Sequence, residues 1–305
     1  MLSRKTSLFV SDLMLLAVAV VWGSSYGVVK SALVFYPVLG LLALRFGITF
    51  ILLSPALRQL GGLPLRGYLG LTSTGLLLLT IFLSETYGLL YTSATNAAFL
   101  ISLCVMFAPL VEWYWLKRKP TPLEWLAVGL SVTGAVLMTQ HGQVELKAGD
   151  ALIVLAAFCR AVQVCLIKRV IHRYPVPALS VTALQAGEVA LGCTLLALIT
   201  LPAPLEGLAK VSDPTAFWGY IGYLVLACTL FAFFAQNYAI QRSNPTRVSL
   251  LMGSEPVFGG LFAMLWLNEQ IPLQSWVGGA LIVVACLLAG KNWSFLRRRE
   301  VVVGG

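Results

Sequence analysis

Long apolar stretches, separated by short polar or Pro/Gly-rich breaks, set the pattern of this chain. They run near residues 13–31, 37–57, 67–90, 94–116, 122–140, 150–168, 178–200, 215–240, 247–267 and 273–290. Each is close to the roughly 20 residues that a helix needs to cross a bilayer, so the pattern predicts ten transmembrane helices. Ten such helices use roughly 200 residues and leave only short loops. Composition agrees: 59% of the 305 residues are hydrophobic and 11% are charged, against about a quarter charged in soluble domains. The expected class is an all-α integral membrane protein. Arg4 and Lys5 followed by an apolar run resemble the start of a signal peptide. The run is long and lacks an A-x-A-type cleavage site, which makes it an uncleaved first span.

Charge gives the chain a direction. Arg4, Lys5, Arg58, Arg66, Lys117, Arg118, Lys119, Lys168, Arg169, Arg173, Arg242, Arg247, Lys291, Arg297, Arg298 and Arg299 fall at one set of span ends, and Lys30, Lys147 and Lys210 at the other. With intramembrane Arg45 and Arg160 these make up all 21 basic residues, split 16 against 3. Positive loops are retained in the cytoplasm, so both termini are expected there. The net charge of +9 sits in short clusters between spans rather than on one face, which argues against nucleic acid as a partner. Most tryptophans lie near span ends, where the ring anchors at the headgroups, but Trp22 lies near the middle of its span.

The chain also resembles itself. Tyr87 to Leu137 matches Tyr238 to Leu288 at an offset of 151, slipping to 150 beyond the loop, where Pro122-Leu123 meets Pro272-Leu273 and Gly129 meets Gly279. Upstream, Arg45-Phe46 corresponds roughly to Gln185-Ala186, and Trp22-Gly23-Ser24 to Phe158-Cys159-Arg160. The organisation expected is a five-helix repeat over 1–143, a second over 144–296, and a mobile tail over 297–305. Five is odd, so the second half enters the membrane from the opposite side and the repeat is inverted. Inverted repeats with a midplane site are the build of many secondary transporters.

Val21-Trp22-Gly23-Ser24-Ser25, Ala43-Leu44-Arg45-Phe46, the run from Tyr91 to Leu100, Pro109, Ser254-Glu255-Pro256 and Leu267-Asn268-Glu269 together resemble the drug/metabolite transporter superfamily, in its EamA-type ten-helix form. Leu116-Lys117-Arg118 departs from the Gly-Glu that usually closes the fourth helix, and Phe158 stands where tryptophan is common. The resemblance implies a central cavity lined by spans one, three, four, six, eight and nine. Its known members include YddG-like amino acid exporters, which is the source of an amino acid as expected substrate.

Charged groups in hydrocarbon cost at least about 2.5–3.5 kcal/mol each, so they need partners or a wet cavity. Glu255, followed by the helix-opening Pro256, is the leading candidate for substrate or proton binding; the alternative is a structural carboxylate bonded to a neighbouring helix. Arg160, with Gln163 one turn on, has the guanidinium fork to hold a substrate carboxylate; an Arg-to-Glu clamp between helices is the alternative. Glu85, Tyr87, Asn237 and Tyr238, with Trp22, Ser24, Tyr26, Asn96 and Phe99, supply the mixed aromatic and amide lining of a small-ligand pocket. Arg45, Gln185, Pro109 and Pro256 read as structural or hinge positions. Glu188 is expected to pair with Gln185 or Arg45, and Glu112 with Lys117 or Arg118.

Enzyme chemistry finds little support. Both histidines are in loops, no Ser/His pair or aspartate pair lies within the spans, and no Gly-x-x-x-x-Gly-Lys-Ser/Thr loop is present. The six cysteines fall in apolar runs without metal-ligand spacing, so neither a metal nor a cofactor is expected. The expectation is a secondary carrier of small polar metabolites in a bacterial inner membrane. Its partners would be its substrate, membrane lipid and protons as candidate coupling ion, and it would work as a monomer or homodimer. A carrier for nucleosides or sugar derivatives, a passive channel and a lipid-handling protein are the alternatives.

Overall fold

The computed structural model describes residues 4–92, 94–139, 148–200, 208, 211–267 and 273–290, without the side chains of 4–5, 94–96, 138–139, 263–267, 275 and 289–290. The tail 297–305 and the Asn96 side chain therefore lie outside the described residues. The described chain is all-helical: α1 (Arg4–Ala32), α2 (Val38–Leu53) with a 3-10 extension (Ser54–Leu60), α3 (Leu65–Tyr91), α4 (Ala94–Ser102), α5 (Cys104–Leu116), α6 (Pro122–Thr139), α7 (Ala148–Arg173), α8 (Ala178–Thr200), α9 (Pro214–Val225), a π-helical turn (Leu226–Phe231), α10 (Ala232–Arg242), α11 (Pro245–Met252), α12 (Glu255–Leu267) and α13 (Leu273–Gly290). Local sequence explains several starts. Asp213 and Asn244 cap α9 and α11 by accepting from the Ala216 and Arg247 amides at 3.0 and 2.7 Å. Pro214 and Pro245 follow at the first helical position, where a missing N–H costs nothing.

Among the described residues, seven helical stretches are long and apolar enough to cross a membrane, and Pro122–Leu137 and Trp276–Leu288 are shorter apolar ones. Expected spans four and nine are each broken, at Leu103 between α4 and α5 and at Gly253-Ser254 between α11 and α12. Pro256 has no N–H to give to Met252, so the helix stops and restarts with Glu255 in the first turn of α12. The matching break at Leu103 has no proline and closes with 3-10 type bonds, Leu103 N–H to Leu100 O and Met106 N–H to Leu103 O.

The most extensive pairings join α6 to α13, α3 to α7, and α2 to α8, while α1 packs along α10 and α12. Two of these contacts depend on glycine. A Cβ on Gly134 would lie 2.4 Å from the Gly278 carbonyl, and one on Gly23 would lie 2.6 Å from the Glu255 carbonyl. Gly23 therefore lets α1 approach α12 backbone to backbone, which sets Trp22 and Tyr26 beside Glu255.

Candidate functional site

At the crossing of α1, α7 and α12, Arg160 Nη1 donates to Glu255 Oε1 at 3.0 Å and Tyr26 Oη donates to Glu255 Oε2 at 3.3 Å. The Arg160 guanidinium also lies over the Trp22 ring, 4.3 Å from its centroid. Glu255 is 1% exposed and Arg160 7%. Such a pair, isolated from water, is retained only with good geometry, and losing one partner strands the other charge. The break before Glu255 supplies that geometry, because it puts the carboxylate at a helix start facing α1 and α7.

The second buried cation is held by a backbone irregularity. In the π-helical turn the Ala232 amide bonds to Ala227 O and Thr229 O, skipping Cys228 O. That released carbonyl accepts from Trp22 Nε1 at 2.9 Å and from Arg45 Nη2 at 3.2 Å. Arg45 Nε donates to Thr229 Oγ1 at 2.5 Å, and its guanidinium lies 4.9 Å from the Phe82 centroid. Phe46, Phe82 and Phe233 pack together beneath it.

A small cavity of about 20 Å³, room for about one water, lies between these groups, lined by Trp22, Ser25, Tyr26, Val29, Arg45, Phe82, Glu85, Thr86, Leu89 and Arg160. Both arginines face it, and Glu85 lies within Coulombic range of both. The cavity thus has two cations, a carboxylate, a phenol and an indole in an apolar wall, the mix that orients a small molecule carrying both signs of charge. The lining differs from that implied by the resemblance in two respects: Arg45 brings in the second helix, and expected spans four, eight and nine (α4, α5 and α9 to α12) contribute no lining residue among those described.

Other candidates go elsewhere. Gln163 Nε2 donates to Thr74 O at 3.1 Å, Gln185 Nε2 to Thr74 Oγ1 at 3.0 Å, and Asn237 Nδ2 to both Gln185 Oε1 and Thr182 Oγ1 at 3.0 Å. These amides tie α3, α7, α8 and α10 together and do not line the cavity. Ser24 meets the Tyr223 hydroxyl at 2.6 Å on the α9 side, and Tyr238 is covered by the Arg242 guanidinium. Tyr87 and Phe99 pack partly buried against the core, and Pro109 lies inside α5. Glu188 pairs with neither Gln185 nor Arg45, because both are engaged as described. It rests against Gly75, with Oε2 buried and unpartnered.

The sequence profile of the EamA-like transporter family matches residues 9–140 and again residues 147–290. The chain belongs to that family. It is a multi-pass membrane transporter of the drug/metabolite transporter superfamily and not an enzyme, and its family moves small molecules. A protein of Streptantibioticus cattleyicolor named as a probable terminal-alkyne amino-acid exporter is 26% identical over 299 residues, 95% of this chain and 96% of that one. An uncharacterized transporter of Archaeoglobus fulgidus is 27% identical over 227 residues, 72% of this chain and 73% of its own. A solved crystal structure covers 95% of this chain and 98% of its own at a TM-score of 0.73 and 17% identity, a likeness of fold.

The departure from EamA-type sequences at the end of the fourth span has a structural counterpart. Lys117 takes the left-handed conformation, φ 56°, that glycine adopts without strain at a helix end. Arg118 joins Glu112 at 3.1 Å and Glu124 at 2.5 Å. Burial alone would lower the Arg118 pKa, but the two carboxylates more than offset this and raise it. Glu112 also accepts from the Thr246 amide and hydroxyl at 3.0 and 2.5 Å, capping α11. Sequence reading missed Cys228 and Thr229 as Arg45 partners, since their role arises from the π turn rather than from residue type.

Proposed function

We propose that this protein is a secondary carrier of ten spans in two inverted halves, with both termini cytoplasmic, which exports amino acids across a bacterial inner membrane by alternating access. The observation that carries the reading is the cavity between Arg45, Glu85 and Arg160, two fixed cations and a carboxylate in a site otherwise apolar and aromatic. An amino acid presents the complement, a carboxylate for a guanidinium and an ammonium for Glu85, with its side chain against Phe82 and Leu89.

Further support comes from the packing, which is reciprocal between the halves. Expected span three on six answers eight on one, four on six answers nine on one, and two on seven and five on ten are self-matched. The 16 to 3 division of basic residues supports the orientation. Full-length similarity to a relative named as a probable amino-acid exporter supports the substrate class. Ligand binding between such halves favours one facing over the other by its difference in affinity for the two.

Purified protein in liposomes, assayed with a panel of amino acids, nucleosides and sugars, tests this. The expected result is saturable, competable flux of amino acids. Flux confined to nucleosides or sugars would keep the carrier and reject its substrate, while absence of saturable flux for every class would reject both.

A further inference from the structure

Helices α1 and α7 carry the same spacing of charges around the point where Arg160 stacks on Trp22. On α1, Asp12 precedes Trp22 by ten residues and Lys30 follows it by eight; on α7, Asp150 precedes Arg160 by ten and Lys168 follows it by eight. The eighteen residues between each aspartate and its lysine span about 27 Å of helix, close to the roughly 30 Å hydrocarbon thickness. A single offset of 138 therefore relates all three positions.

Their contacts repeat as well. Lys30 Nζ donates to Thr92 O at 3.2 Å, just after α3, and Thr92 Oγ1 bonds Asp150 Oδ1 at 2.6 Å. At the opposite ends of the same two helices, Lys168 Nζ donates to Ile240 O and Gln241 O at 2.8 and 3.3 Å, in the last turn of α10. There Asp12 takes both arms of Arg247 from α11, one at 3.1 Å. In each cluster the lysine comes from one crossing helix and the aspartate from the other. In each the lysine holds a carbonyl at a helix end, while Asp150 takes the hydroxyl of that same Thr92 and Asp12 the arginine of the following helix α11.

We propose that Lys30 with Asp150, and Lys168 with Asp12, are matched latches that close the two opposite mouths of the cavity and are released in turn during transport. The inference rests on the carrier reading given above. Both latches are made in this structure. Asp12 faces a two-armed arginine, and Asp150 accepts from the Thr92 hydroxyl.

The test uses full-length protein with its six cysteines replaced by alanine and a reporter, Ser25→Cys, in the cavity wall. Membrane-impermeant thiol reagent is applied separately to each face of oriented vesicles, with no substrate present. Asp12→Asn should raise reporter labelling about tenfold from the face that carries Asp12, and Asp150→Asn should raise it from the opposite face. Arg247→Gln and Thr92→Val, which keep both aspartates, should reproduce the two facings, and they decide the matter if either aspartate variant fails to fold. Labelling that rises from the same face for Asp12→Asn and Asp150→Asn, or for Arg247→Gln and Thr92→Val, or from neither face, overturns the latches. Because labelling needs no flux, opposite facings in a protein that transports nothing would leave the latches standing and the carrier reading refuted. Transport without that pattern would do the reverse.

Discussion

Two polar clusters occupy related places in the two halves, and their chemistry differs. Arg45 corresponds to Gln185, and Glu85 to Gln236 at the offset of 151. Around the first pair lie Trp22, Arg160 and Glu255 and a small cavity; around the second, Gln163, Asn237, Thr74 and Thr182 close on one another. One side chain from the second or seventh span donates to a threonine hydroxyl in both clusters, Arg45 to Thr229 and Gln185 to Thr74. The shared contact is thus architectural, and the charge gathers in the cluster that borders the cavity. Neutral amides hold helices together at about 1 kcal/mol per bond, without the insertion cost of ions. On the proposed function, the charges are retained for the substrate.

The sharpest way to break this division is Glu255→Ala. It strands Arg160 within the bilayer and is expected to cost about 3–5 kcal/mol, seen as earlier thermal unfolding in detergent, along with loss of flux. Adding Arg160→Gln should recover most of the stability and none of the transport. Full stability in the single variant would show that the pair is not the buried clamp described. Next comes Thr229→Val, which removes the acceptor of Arg45 Nε and should lower stability by about 1.5–3 kcal/mol while also weakening substrate affinity. Gln185→Leu leaves Thr74 and Asn237 short of a partner and should cost about 1–3 kcal/mol with affinity unchanged. If Gln185→Leu weakened binding as much as Thr229→Val, the two clusters would not be divided as argued. The smallest effect is a gain: Lys117→Gly relieves the left-handed position and should stabilise by about 1 kcal/mol, read from the unfolding midpoint.

Much of the helical layout was legible because apolar runs and their breaks are written directly in residue type. Trp22, Tyr26, Glu85, Arg160 and Glu255 stood out because aromatic or charged groups in mid-span need a reason. The clamp of Arg160 on Glu255, one of two readings open from sequence, is the contact made. Gln163 and Asn237 have the same residue type as pocket amides, and only their rotation about the helix axis sends them to Thr74 and Gln185. For Asn237 that rotation is altered upstream by the π turn, an i to i+5 step that no residue in Leu226–Phe231 announces. Aligning Trp22 with Phe158 sets an offset of 136, two residues from the 138 at which Asp12, Trp22 and Lys30 meet Asp150, Arg160 and Lys168, because apolar neighbours score alike.

Counterflow tests the central claim most directly. Liposomes holding the protein are preloaded with an unlabelled amino acid, and entry of the labelled form is timed. A carrier whose cavity binds amino acids and faces one side at a time predicts faster entry into preloaded than into empty liposomes, an acceleration lost in Glu255→Gln. Equal entry rates with and without internal amino acid would mark an open pore and contradict the account.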